Sequence, residues 1–255
     1  MKSYSLFLPI RREEDHMNTS ARTAVKLAGA SVGALALLGA GYLARNWARY
    51  GKVSHDGRPD PLLDRFMPTY EVREYHEARV SAPVDIAFEA VRALDINRSR
   101  LVRGLFRARQ IALRADDTAR MPARPFFEEA KALGWGVLAE APGREIVFGA
   151  VTQPWVADVR FESVPPGEFA SFDTPGFVRI AFTMAAEPID ARSSVVWTET
   201  RVATTDPYAR DRFRRYWAIV SPGVRVIRIE TLRLLRADAE RRARQTRDEI
   251  IEQEV

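Results

Sequence analysis

Two pairs of side chains in this 255-residue chain have types and spacings that can do chemistry. Glu74 and His76 are two apart in YEVREYHEARV, Tyr70 to Val80, a segment of strand-like composition. A strand's period of two places both on the face that carries Tyr70, Val72, Ala78 and Val80. A carboxylate beside an imidazole can exchange protons as general acid and base, or orient the polar head of a ligand. The plainer alternative is a partly exposed strand on which the pair is solvated or paired to an arginine, the usual fate of polar side chains. The second pair is Glu199 and Arg201 in SSVVWTETRVATTD, which share a side with Trp197, while Val196, Thr198, Thr200 and Val202 take the other. The β-branched side is expected to face inward, because burying the charged pair is costly. With the sheet turned the other way, the same pair would be a buried site for a polar head group.

Several other chemistries are excluded. The chain has no cysteine, so disulfides, thiolate nucleophiles and cysteine metal sites are absent. His16, His55 and His76 lie far apart and in no metal-ligand spacing, so neither a metal nor another cofactor is expected. GASVG matches the Gly-x-Ser-x-Gly pattern of hydrolases, but it sits inside an apolar run and not between a strand and a helix. The net charge is +5, and of 39 basic residues only Lys2, Lys26, Lys52 and Lys131 are lysines. The arginines are spread over the whole chain, as a G- and C-rich gene would give. No aromatic-basic motif focuses them, and no nucleic-acid partner is expected.

The elements that must position these residues can be read from periodicity. Asp206 and Pro207 supply an N-cap oxygen and a pre-set φ where the last strand ends. In the helix that follows, Phe213, Trp217, Val220, Val224, Ile227 and Leu234 fall at spacings of three, four or seven, on one face, and the opposite face is mostly arginine. The register continues across Pro222 and Gly223, which predicts one kinked helix. Upstream, Pro83 opens a helix that stacks Ala87, Ala90, Val91 and Leu94. SRLVRGLFRARQIALR predicts a second, gathering Leu101, Val102, Leu105 and Phe106, and PFFEEAKALG a third that stops at Gly134. From Arg98 to Arg114 there are six arginines and no acid, a face that can lie on anionic lipid or simply be solvated. WGVLAE and EIVFGAV flank the turn APGR as a hairpin; DVRFESV, FVRIAFTMAA and SSVVWTETRVA follow as further strands. The order is strand, helices, several antiparallel strands and a long helix, an α+β layout in which one curved sheet wraps the final helix. On that layout Phe182, Met184, Thr198, Thr200, Phe213 and Trp217 are expected to line its interior, or to pack as plain core.

Ahead of this domain, Leu27 to Ala44 is an uncharged run of 18 residues, roughly 27 Å as a helix and close to a bilayer core. Its Ala-x-Ala pairs lie within the run, not after it, and ARNWARYGK follows as a stop-transfer flank, so an uncleaved anchor is expected. Gly29 and Gly33 form a Gly-x-x-x-Gly pair that can bring two such helices together as a homodimer, or arise by chance in an Ala/Gly-rich span. The expected organisation is a tail at 1–23, a transmembrane anchor at 24–44, a linker at 45–67 rich in Pro, Gly and Asp, the domain at 68–243 and a charged tail at 244–255.

YEVREYHEARVSAPVDIAFEAV, a first strand ending in Ala-Pro and entering a helix, and TETRVATTDPYARDRFRRYW, a last strand entering a long helix, resemble the SRPBCC superfamily, also called START-like, helix-grip or polyketide cyclase-like. SPGVRVIRIETLRLLR resembles the helix continuation of its small bacterial members. The likeness covers roughly Phe66 to Arg242; the stretch from Ala108 to Gly134 is expanded, and most members lack an anchor. It implies a helix-grip fold with a deep apolar cavity between sheet and C-terminal helix, holding a lipid or other hydrophobic small molecule. It implies no shared catalytic constellation. The expected protein is a single-pass protein of a bacterial inner membrane, its domain in the cytoplasm, that binds a hydrophobic ligand and is not an enzyme. The alternative is a cyclase or aromatase acting on a polyketide-like substrate through Glu74 and His76.

Overall fold

The computed structural model describes residues 39–42, 44–45, 48, 50, 59–113 and 125–253. The chain divides into Met1–Ala48, whose described residues are helical, and Arg49–Val255, which holds everything below. Among the described residues no helix is long and apolar enough to cross a membrane. Most of the run read as an anchor, Gly29 and Gly33 included, falls outside the described residues, as do His16 and His55.

The second unit begins with a short helix, α1 (Pro61–Asp64), and the strand β1 (Val72–Val80). Three helices follow: α2 (Val84–Arg92), α3 (Arg100–Leu113) and α4 (Phe126–Ala132). The hairpin β2 (Gly136–Ala141) and β3 (Glu145–Thr152) turns at Gly143, whose φ is +72°. DVRFESV yields only a two-residue strand, β4 (Phe161–Glu162), before α5 (Pro166–Phe169). The long strands β5 (Val178–Asp190) and β6 (Ser193–Thr204) lead into α6 (Pro207–Gln253). This is the expected α+β arrangement: one six-stranded antiparallel sheet and a long C-terminal helix. Its order is β1-β6-β5-β3-β2, with β4 also on β3.

α6 is capped as its sequence predicts. The Asp206 carboxylate accepts from the Ala209 amide at 2.9 Å and from the Gly176 amide, and these bonds hold its pKa below the usual range. The helix runs unbroken through Pro222. Its lower half packs Leu232, Leu235, Ala239 and Ala243 against Ala87, Phe88 and Val91 of α2 and the inner face of the sheet.

The outer face of the sheet is covered too, which the sequence reading did not anticipate. The segment read as the end of a linker folds onto it: Leu63, Phe66 and Met67 are buried with Val147, Val151, Ala181, Ala203 and Phe169 of α5. The physical signal is the pair that starts α6, repeated at Asp60 and Pro61. Asp60 accepts from the Leu63 amide at 2.8 Å, and Pro61 takes the first helical position, where its missing N–H costs nothing.

With both faces covered, Glu199 and Arg201 are buried although their side of β6 points away from α6; they are 0% and 2% exposed. The expectation that this side would be the exposed one is therefore corrected. The charges are tolerated because each is answered. Arg73 on β1 gives Glu199 a two-pronged contact, Arg201 Nε donates to Glu199 at 2.7 Å, and Arg201 Nη1 reaches Asp64 of α1 at 2.5 Å and the Met67 carbonyl at 2.9 Å. The Tyr70 ring lies 4.6 Å from the Arg201 guanidinium carbon.

Candidate functional site

Antiparallel register carries the alternation of each strand across the whole sheet. Two rows of side chains therefore cross its inner face. One runs Glu74, Thr200, Phe182, Phe148; the next runs His76, Thr198, Met184, Ile146. Side chains directly opposite on neighbouring strands share a face, so the inner surface grades from ionisable on β1, through hydroxyl on β6, to apolar on β5 and β3.

Between this face and α6 lies a cavity of about 320 Å³. That is at the small end of the range for small-molecule sites. Its walls are mainly apolar. All six residues expected to line the interior border it: Phe182 and Met184 from β5, Thr198 and Thr200 from β6, and Phe213 and Trp217 from α6. The aromatic walls are interlocked. Phe213 stacks on Trp217 with ring centres 5.6 Å apart, Phe182 on Phe148 at 5.1 Å, and Trp135, following α4, stacks on Phe161 of β4 at 4.9 Å and meets Phe182 edge-on at 5.0 Å.

Glu74 and His76 come together but do not border the cavity. His76 Nε2 stands 3.5 Å from Glu74 Oε2, too long for a strong hydrogen bond, and Arg225 of α6 lies 3.6 Å from the other Glu74 oxygen. Among the described residues His76 Nε2 is buried without a hydrogen-bond partner. Neither meets a molecule inside the cavity directly.

The residue that does carry charge to the wall was not among those expected there. Arg228 borders the cavity. Its Nη1 donates to Thr198 Oγ1 at 2.8 Å and its Nη2 donates to Thr200 Oγ1, so the guanidinium bridges helix and sheet between the two threonines. Burial pushes it down to about 10, and Glu74 offsets only part of that effect. Position 228 lies four residues after Val224 and three before Thr231, both on the wall, so helical spacing alone placed it there. The other charged residue on the wall, Glu129 of α4, accepts from Asn97 Nδ2 at 3.0 and 3.3 Å. Among the described residues no group of acidic and histidine side chains is placed to hold a metal ion.

No family model and no curated protein matches the chain. Solved structures do, at low identity. The di-domain ARO/CYC BexL from the BE-7585A biosynthetic pathway is 18% identical over 66% of this chain, with a TM-score of 0.28; the match spans 46% of that protein, about half its length. A START superfamily protein from Mycobacterium smegmatis is 13% identical over 68% of this chain and 98% of its own, with a TM-score of 0.29. The Zhui aromatase/cyclase from Streptomyces sp. R1128 is 14% identical over 67% and 94%, with a TM-score of 0.28. Likenesses of this strength leave the function to be argued from the cavity.

Proposed function

We propose that this domain binds a small, largely apolar molecule in the cavity between the sheet and α6, and that it acts as a binding module and not as an enzyme. The observation that carries the reading is the cavity itself: about 320 Å³, walled by interlocked aromatic rings on one side and by Val224 and Ile227 of α6 on another. A largely apolar space of this kind gains roughly 25 cal/mol for each Å² of apolar ligand surface it takes from water. Glu74 and His76 stand off the wall, which argues against the cyclase alternative. In this reading Leu27 to Ala44 would keep the domain at a bilayer, where hydrophobic molecules are most abundant; the support for that part is the length and lack of charge of the run.

The test is calorimetric titration of the purified protein with decanol. Saturable binding is expected, and Val224→Trp, which projects an indole into the space, should abolish it while a cooperative unfolding transition remains. Absence of binding in the wild type, or equal binding in the filled variant, would sink the proposal.

A further inference from the structure

The cavity wall contains one feature that an apolar guest would not need. Arg228 keeps a guanidinium between sheet and helix, and two terminal N–H groups go to Thr198 and Thr200. A guanidinium has five N–H donors. Among the described residues the Nε–H has no partner, although it is buried, and no carboxylate forms an ion pair with this arginine. A buried cation left without a counter-charge is costly, and buried donors are almost always satisfied. Glu74 is the acidic group that acts on Arg228 through space, but its oxygens are nearer to His76 and Arg225. The threonines are well suited to aim the cation and unable to neutralise it. They sit two apart on the inner face of β6, so they fix the guanidinium plane, and hydroxyl oxygens bring no charge.

Building on the apolar-cavity reading, we infer that the ligand is an amphiphile bearing a single carboxylate, which Arg228, held by Thr198 and Thr200, binds while the apolar body lies along Phe182, Met184 and Trp135. The order of side chains along the inner rows sets the direction: hydroxyls on β6 beside Arg228, then apolar groups on β5 and β3. A single charge follows from the wall. Arg228 is its one cation among the described residues, so a doubly charged phosphate would keep one charge uncompensated. An arginine's fork matches the two oxygens of a carboxylate in one plane.

The experiment titrates the full chain with four ligands of equal chain length: decanol, decanoate, decyl phosphate and decylamine. Decanol reports on the apolar cavity alone. Decanoate should bind at least about tenfold more tightly than decanol, the effect of one charge-assisted hydrogen-bonded contact. Arg228→Met should erase that difference and leave decanol binding in place, and Arg228→Lys should restore only part of it. Decanol and decanoate binding equally to the wild type would overturn the inference without touching the cavity reading, and this comparison requires no variant to fold. Tighter binding of decyl phosphate would overturn the single charge, tighter binding of decylamine would overturn the anion, and failure of all four would overturn both readings.

Discussion

Arg73 and Glu199 meet on neighbouring strands in a two-pronged ion pair, Nε to Oε1 at 2.7 Å and Nη2 to Oε2 at 2.8 Å, with side-chain exposures of 6% and 0%. The pair sits on the face of the sheet turned away from the cavity, and Arg201 shares the same Glu199 oxygen at 2.7 Å. One carboxylate thus serves two buried cations. Burial works against the charge on Arg201, but its bonds to Glu199 and Asp64 outweigh it and raise its pKa. Replacing the pair with apolar groups could be harmless, whereas removing one partner strands the other. Glu199→Ala should therefore destabilise the fold by about 3–5 kcal/mol, read from the urea midpoint at unchanged slope. A loss below about 1 kcal/mol would mean that water reaches the two arginines once the carboxylate is gone.

The difference between what the sequence revealed and what it hid comes down to which signals are local. Phe182, Met184, Thr198 and Thr200 were legible because alternation along a strand is fixed by backbone geometry, and one correct inward residue determines the rest of the face. Phe213 and Trp217 were legible from helical spacing. Arg228 has the same spacing, but an inward face defined by apolar side chains leaves it out, a rule that fails where a long cationic side chain can lie along an apolar wall and find oxygens at its tip. The burial of Glu199 was hidden for a different reason. It depends on Leu63, Phe66 and Met67 returning to cover the outer face, a contact between segments more than 130 residues apart, in a stretch whose Pro and Asp content reads as linker.

A second prediction concerns pH. Glu145 at the start of β3 is pushed up to about 7, first by burial and then by the neighbouring Asp60 carboxyl, against a hydrogen bond from Thr183 Oγ1 at 2.7 Å. Asp60, which caps α1, is raised as well, again chiefly by burial. The two titrate as a pair. As pH rises from the ordinary carboxylate range toward 7, the unfolded chain has released a proton that the folded one retains, so stability falls through that window. The urea midpoint should be lower at pH 8 than at pH 5, and Glu145→Gln should shrink the difference. Asp190 and Asp206 carry lowered values and contribute only below the ordinary carboxylate range, outside this comparison. A midpoint that rises with pH in the wild type would contradict the assignment.

Ser99 ties α3 to α6. Its hydroxyl accepts from the Val102 amide at 3.3 Å, capping α3, and donates to Glu230 Oε1 at 3.0 Å. The residue is 5% exposed, so water does not replace either bond readily. Ser99→Ala should cost about 1–2 kcal/mol in urea unfolding, and Ser99→Thr, which keeps the oxygen, should recover most of it. Equal losses in both variants would point to packing in place of the cap.

Gly134 connects the end of α4 to the aromatic wall of the cavity. Its φ of +99° turns the chain sharply after Leu133, so that Trp135 can stack on Phe161, and a Cβ added there would overlap the Phe161 carbonyl oxygen. Backbone cannot yield as a side-chain tip can, so Gly134→Ala must displace either the turn or β4, and both hold rings that border the cavity. The expected result has two parts: a stability loss greater than about 1 kcal/mol, and weaker decanol binding because the Trp135–Phe161 stack is disturbed. Gly143→Ala is the control. Its φ of +72° is also left-handed, but an added Cβ meets nothing within 4 Å. It should show the strain of the turn, roughly 1–2 kcal/mol, with decanol binding unchanged. If both variants lose stability equally and neither alters binding, the Gly134 turn supports the fold without shaping the cavity wall.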